Sequence, residues 1–208
     1  VIDCEFLGNE VSDISGTLAA GTSIYTTGPS LIVSNSTFTD ESASVTVTDA
    51  SSAQGGAIYS TGGTFVKLDR CVFDGCLADG TQPTVFAYGG AVYITDALTA
   101  ITNCVFHACA AQGSGDAQPA FGGAVYCNNL SSISIINNTF VGNAVTPQAG
   151  SITDTDRPYG LGGAIYLSGT NTQAKVWNNI ISDTRGTAVV NDGMTVSFNY
   201  NLLWHNAG

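Results

Sequence analysis

At 208 residues, with 10% charged side chains and a formal net charge of −11, the chain has the length of one domain and a surface unsuited to nucleic acid or an anionic membrane. Its five basic residues are Lys67, Arg70, Arg157, Lys175 and Arg185, and no apolar run approaches the roughly 20 residues that cross a bilayer. Low charge with abundant Ser, Thr, Asn and Gly would suit a disordered chain, but regular columns of Phe, Tyr, Ile and Val argue for a packed one.

The chain opens on Phe6-Leu7-Gly8-Asn9, passes a polar stretch at 10–20 and reaches Gly21-Thr22-Ser23-Ile24-Tyr25. The same order then returns. Phe38 leads through 42–54 to Gly55-Gly56-Ala57-Ile58-Tyr59, and Phe73 through 77–88 to Gly89-Gly90-Ala91-Val92-Tyr93. Phe106 leads through 110–121 to Gly122-Gly123-Ala124-Val125-Tyr126, and Phe140 through 144–161 to Gly162-Gly163-Ala164-Ile165-Tyr166. Ile181 runs almost directly into a degraded copy, Gly186-Thr187-Ala188-Val189-Val190, and Leu203 begins another round. The glycine motifs start 34, 34, 33, 40 and 24 residues apart. A near-constant period in this range marks a solenoid, whose units bury their apolar faces only against their neighbours.

Short apolar segments split by Gly, Asn, Asp and Ser predict strands and turns, and no long stretch carries a helical period. The shortest repeat is just long enough to walk around three short strands at about 3.3 Å per residue. Longer repeats differ mainly between the Phe and Gly-Gly motifs. The expected fold is therefore all-β: a right-handed parallel β-helix solenoid of about six coils, with one loop inserted per coil at a common corner. Residues 1–208 are expected to form a single β-helix domain. The chain starts in mid-motif and ends on a Phe-motif equivalent, so it is expected to be part of a longer chain or an assembly.

Phe6, Phe38, Phe73, Phe106 and Phe140 are the expected core ladder. Three residues before the Phe position Asn recurs (Asn35, Asn103, Asn137, Asn178), which suggests an Asn ladder. Three residues after it stand Asn9, Glu41, Cys76, Cys109, Asn143, Thr184 and Asn206. Cys71, Cys76, Cys104 and Cys109 share one spacing in consecutive coils. They are candidate disulfides, paired within a coil or between coils, or else buried free thiols. Cys127 is expected to be buried and free. Tyr25, Tyr59, Tyr93, Tyr126 and Tyr166 form a column of opposite parity to the apolar set. They are expected outside the core, stacking against a sugar ligand or lying beneath the inserted loops. The Gly-Gly pairs are expected at a tight corner. His107 and His205 lack a nucleophile beside them. Asp40-Glu41, Asp154 and Asp156 are acidic clusters on turns without a calcium-loop pattern. Asn35-Ser36-Thr37, Asn129-Leu130-Ser131 and Asn137-Asn138-Thr139 match the glycosylation acceptor pattern.

The alternation of Gly-Gly-Ala-(Ile/Val) with Phe-x-x-Asn, complete at Phe6 to Asn9 and Phe140 to Asn143, resembles the passenger repeats of the polymorphic outer-membrane protein family. The resemblance implies an extracellular or cell-surface location and an adhesive or structural role, as a passenger-like adhesin or a segment or subunit of a surface filament. The expected partners are copies of the chain, the remaining parts of a longer surface protein, glycans or a neighbouring surface. No catalytic residue, cofactor or metal is expected, nor nucleic acid or membrane insertion of this segment. The alternative is a polysaccharide-binding or polysaccharide-cleaving β-helix of the lyase or glycosidase class. Cleavage would need paired carboxylates in one groove, and Asp154, Asp156 and Arg157 are the nearest approach to a lyase-like cluster.

Overall fold

The computed structural model describes every residue except 14–17, 47–51, 81, 83–84, 114–119, 130–131, 148–159, 171 and 207–208. Asp154, Asp156, Arg157, Leu130 and Ser131 lie outside the described residues. All described regular structure is strand, arranged in parallel sheets of seven, six, five, five and six strands. One turn shows the scheme. Thr37–Thr39, Ser42–Val45, Ser52–Gln54, Ile58–Ser60 and Phe65–Asp69 follow one another. Each pairs in register with its equivalent about one repeat later, as Phe38 does with Phe73 and Tyr59 with Tyr93.

Three of the sheets enclose the main core. The phenylalanine sheet supplies Phe38, Phe73, Phe106 and Phe140, all fully buried. With Phe6 they stack at 4.7–4.8 Å with planes 4° apart. The broad sheet, of five-residue strands, supplies Val33, Leu68, Ile101, Ile133, Ile135 and Val176. The tyrosine sheet supplies Ile58, Ile94, Cys127 and Leu167. Strand alternation sets all three inner faces, and parallel stacking puts like side chains over like.

The insertion falls at one common corner, as expected, but it is not a loop. It opens and closes with strands, such as Leu77–Gly80 and Phe86–Tyr88, which stack into two further sheets. Their facing sides form a separate core of Ala19, Ala43, Ala53, Ala78, Ala87, Ala111, Ala120, Val45, Val85 and Val145. Small residues at every rung let the two sheets approach closely and make a thin side lobe. Composition disguised this: Ala, Ser and Gln at alternating positions read as turn material, yet Ala is sufficient where the opposing wall is also Ala.

The lobe joins the main column through a neck, and the Gly-Gly pairs form it. The first glycine of each pair takes a left-handed φ, +60° at Gly55 and +61° at Gly89. A Cβ on the second, Gly90, would run into the backbone oxygens of Gly123 and Ala110 in the next turn. The final turn passes from Ile180–Ser182 to Val189–Asp192 with no lobe strands. The bridge between Ala144 and Arg185 closes the neck there directly.

Corner geometry moves the expected Asn ladder by one residue. Asn35, Asn103, Asn137 and Asn178 have φ of +50° to +59° and mark a left-handed corner; Asn tolerates that conformation better than most residues. The buried ladder comes next. Asn138 Oδ1 accepts the Cys104 N–H at 2.8 Å, and Asn138 Nδ2 donates to Ile101 O at 3.0 Å and to Asn179 Oδ1 at 3.1 Å. Asn179 repeats this toward Ile135 and Asn201. Asn138→Ala should therefore cost about 2–3 kcal/mol, because a buried N–H and carbonyl lose their partner. Asn137→Gly should change stability by less than about 1 kcal/mol, because glycine suits its φ. Urea denaturation of the two variants distinguishes the adjacent roles.

Candidate functional site

The tyrosine column stands outside the main core, as its parity requires, but it is enclosed. Tyr59, Tyr93, Tyr126 and Tyr166 are 6–9% exposed, and only Tyr25 is open, at 56%. Neighbouring rings in the column stack at 4.8–5.3 Å. The lobe folds back over them: Tyr88 meets Tyr126 edge-on at 4.9 Å, and Phe121 meets Tyr166 edge-on at 5.0 Å. Of the two expected roles, the geometry serves packing against the insert, because these aromatics occupy the space a sugar ring would need.

Burial raises the pKa of Tyr93 and Tyr126, and it raises Tyr166 to about 12 with help from its hydrogen bond to Asp192. In the unfolded chain these phenols ionise near 10. The folded state thus holds more protons between those values, and stability is full below pH ~10 and falls as pH rises toward about 12. Tyr93→Phe and Tyr126→Phe should flatten this alkaline loss, each by on the order of 1 kcal/mol near the upper end. Thermal unfolding across that range is the check.

Two polar columns flank the phenylalanine sheet, and the cysteines belong to them. Cys4, Ser36, Cys71 and Cys104 precede Asn138 in one, and Cys76 and Cys109 stand between Glu41 and Asn143 in the other. Each thiol does what Asn does elsewhere in its column. Cys104 Sγ accepts the Cys71 N–H at 3.4 Å, as Asn138 accepts that of Cys104. Cys76 Sγ donates to Phe38 O at 3.7 Å and Cys109 Sγ to Phe73 O at 3.6 Å, as Asn143 donates to Phe106 O. All six thiols are free, and the four in question are buried. Cys127 is buried and free within the tyrosine sheet's inner face.

Glu41 is fully buried, and its departure from the Asn pattern has a partner. Thr22 Oγ1 and Ser23 Oγ donate to its Oε2, and Asn9 Nδ2 donates to its Oε1 at 3.0 Å. Thr22 and Ser23 stand where later repeats have Gly and Ala. The two irregular motifs therefore complement each other across adjacent turns, and the carboxylate serves as a rung. His107 Nδ1 lies 2.7 Å from Asp74 Oδ1 one turn earlier, and His205 Nδ1 lies 3.5 Å from Asp183 Oδ1. The first pair sits on the outer surface of the phenylalanine sheet, and the second at the left-handed corner that follows its strands. Among the described residues no three of His, Cys, Asp and Glu converge on a metal site.

The outer face of the broad sheet differs from the rest of the surface, and sequence reasoning missed it. Its six strands run from Ser30–Ser34 to Thr195–Asn199. At ~4.8 Å per strand they make a face roughly 24 Å along the solenoid axis. Ile32 and Leu98 are 49% and 44% exposed on it. Lys67, Ala100, Ser134 and Lys175 share one outward column, which places the two lysines about 14 Å apart. Lys175 Nζ lies 5.5 Å from the centre of the Trp177 ring, and Trp177 Nε1 donates to Ser197 Oγ at 3.0 Å. The carboxylate in this face, Asp69, bonds Arg70 Nη1 at 2.8 Å and accepts from Thr102 and Asn103 at 2.9 Å. Those hydrogen bonds, led by Asn103, hold its pKa below the usual value. A chain of net charge −11 thus turns both of its lysines outward on one face.

Residues 51–208 match the family model described as the right-handed β-helix region. The chain belongs to the right-handed β-helix family. No curated protein and no solved structure matches it. Enzymes and non-enzymes both occur in this family, so membership assigns the fold and not an activity. The alternating signal that would have exposed the broad face is present in Phe65-Val66-Lys67-Leu68-Asp69 and Gln173-Ala174-Lys175-Val176-Trp177. Their outward residues form a common surface only once the register is known.

Proposed function

We propose that this right-handed β-helix is an extracellular or cell-surface structural and adhesive protein, a segment or subunit of a surface fibre, with the broad sheet as its contact face. The observation that carries the reading is that six-stranded face, with Ile32, Leu98 and both lysines turned outward, on a stack whose polar columns are engaged as internal rungs. Display on a rigid rod needs an outer surface repeated at constant spacing, and parallel in-register stacking supplies one. The likeness of the Gly-Gly-Ala and Phe-x-x-Asn motifs to polymorphic outer-membrane protein repeats supports the same reading.

A second reading, carbohydrate binding without cleavage, is favoured by Lys67, Lys175 and Trp177. Two ammonium groups about 14 Å apart on one face, one of them over an indole ring, suit an anionic polysaccharide whose successive carboxylates meet the lysines.

Capture of the chain by immobilised polysaccharides and matrix proteins, with and without Lys67→Glu and Lys175→Glu, tests both readings. Salt-sensitive capture by acidic polysaccharide that the double variant loses supports the glycan reading. Capture by protein surfaces that the double variant loses supports the adhesive one. Capture that ignores both substitutions in a folded variant removes the broad face as the contact surface. Electron microscopy of native material tests the fibre: continuous filaments support it, and isolated short rods oppose it.

A further inference from the structure

Four of the six cysteines meet as two stacked pairs, and the fold brings them together in a way that spacing alone does not. Cys71 and Cys104 lie between the paired positions Asp69 with Thr102 and Val72 with Val105. Cys76 and Cys109 lie between Asp74 with His107 and Leu77 with Ala110. Adjacent parallel strands run ~4.8 Å apart, inside the roughly 4.4–6.8 Å range of Cα separations that a disulfide spans. The Cys71 N–H already touches Cys104 Sγ at 3.4 Å.

Pairing within a turn is excluded by the same geometry. Cys71 and Cys76 stand at opposite ends of the strand Val72–Asp74, and their thiols reach different carbonyls, Val33 O and Phe38 O. The three-residue strand and the left-handed corner at Gly75 keep the two positions on the order of 10 Å or more apart, beyond the reach of a disulfide. Cys4 is exposed next to Ser36 in its column, and Cys127 stands between Ile94 and Leu167, so neither has a stacked thiol.

We propose that Cys71–Cys104 and Cys76–Cys109 are the disulfide sites of this chain, two staples that tie consecutive turns on either side of the phenylalanine ladder. Closure with glutathione disulfide balances as follows. A cysteine thiolate attacks one glutathione sulfur and expels glutathione thiolate. The stacked thiolate then attacks the protein sulfur of the mixed disulfide and expels the second. The two protons from the cysteines end on the released glutathiones. Formation gives up only weak thiol contacts to carbonyls at 3.2–3.8 Å. In the stacked pair the shared hydrogen bond lowers Cys71 to about 7 and raises its partner. All four thiols are at most 1% exposed, so closure belongs to folding, before the turns seal.

The experiment is refolding of reduced, urea-unfolded protein in a glutathione redox buffer, followed by alkylation, intact mass and peptide mapping. The expected result is two linked pairs, 71 with 104 and 76 with 109, with Cys4 and Cys127 alkylated and an unfolding midpoint above that of the reduced protein. Cys71→Ser with Cys76→Ser should fold, since Ser36 already occupies one of these columns, and should show no midpoint shift between the two redox conditions. Fewer than two linked pairs, or links from 71 to 76 and 104 to 109, overturn the proposal.

Discussion

Replacing Gly90 with alanine is expected to destabilise the protein by at least about 3 kcal/mol, enough to melt the turns around it. A methyl group there has nowhere to go. Its Cβ would sit well inside contact distance of the Gly123 and Ala110 carbonyl oxygens. Both belong to the next turn's backbone, which its own ladder bonds hold in place, including Ala91 N–H to Ala124 O at 3.0 Å. Relief would require opening the neck and separating the lobe from the column. Gly62 is the control: its φ is +66°, but a Cβ there meets nothing within 4 Å. Gly62→Ala should cost only about 1 kcal/mol, the ordinary penalty for a left-handed alanine. Circular dichroism melts of the two variants separate the steric demand from the conformational one. A loss at Gly90 no larger than at Gly62 would show that contact with the next turn's carbonyls does not constrain this glycine.

The second large effect is expected at the ladder. Phe106→Ala should cost about 3–5 kcal/mol in urea denaturation, since the side chain is fully buried and truncation leaves a cavity. The ring also has two stacking partners, Phe73 at 4.7 Å and Phe140 at 4.8 Å, so both neighbouring turns lose a contact. Phe106→Leu should recover most of the loss, because Ile181 and Leu203 carry the same column to its end. A solenoid has no central core to share such damage, and the variant should unfold first in the turns next to residue 106. Hydrogen exchange resolved along the chain would detect that order.

The period, the strand class, the Phe ladder and the common corner of the insertion were legible in the chain itself. Each is a property of one turn, and the turns repeat, so a single face pattern read at a 33–34-residue step suffices. The inner and outer parity of the tyrosines followed from alternation alone. Their enclosure did not, because it depends on Tyr88 and Phe121 folding back from strands that read as loop.

What only the tertiary structure decided is which side chains meet across turns. Glu41 looked like a broken motif and Thr22-Ser23 another; stacking makes them partners. Lys67 and Lys175 are 108 positions apart in the chain, yet they share a column three rungs apart on one face. The Asn column that repeats three residues before Phe is a corner, and the hydrogen-bonding ladder is the residue after it. Stacked cysteines became neighbours for the same reason. Local sequence dictates strand, turn and parity because these depend on a residue and its near neighbours. Register, the neck and the lobe's return over the tyrosines depend on contacts made about a full turn apart, where only the closed fold sets the distance.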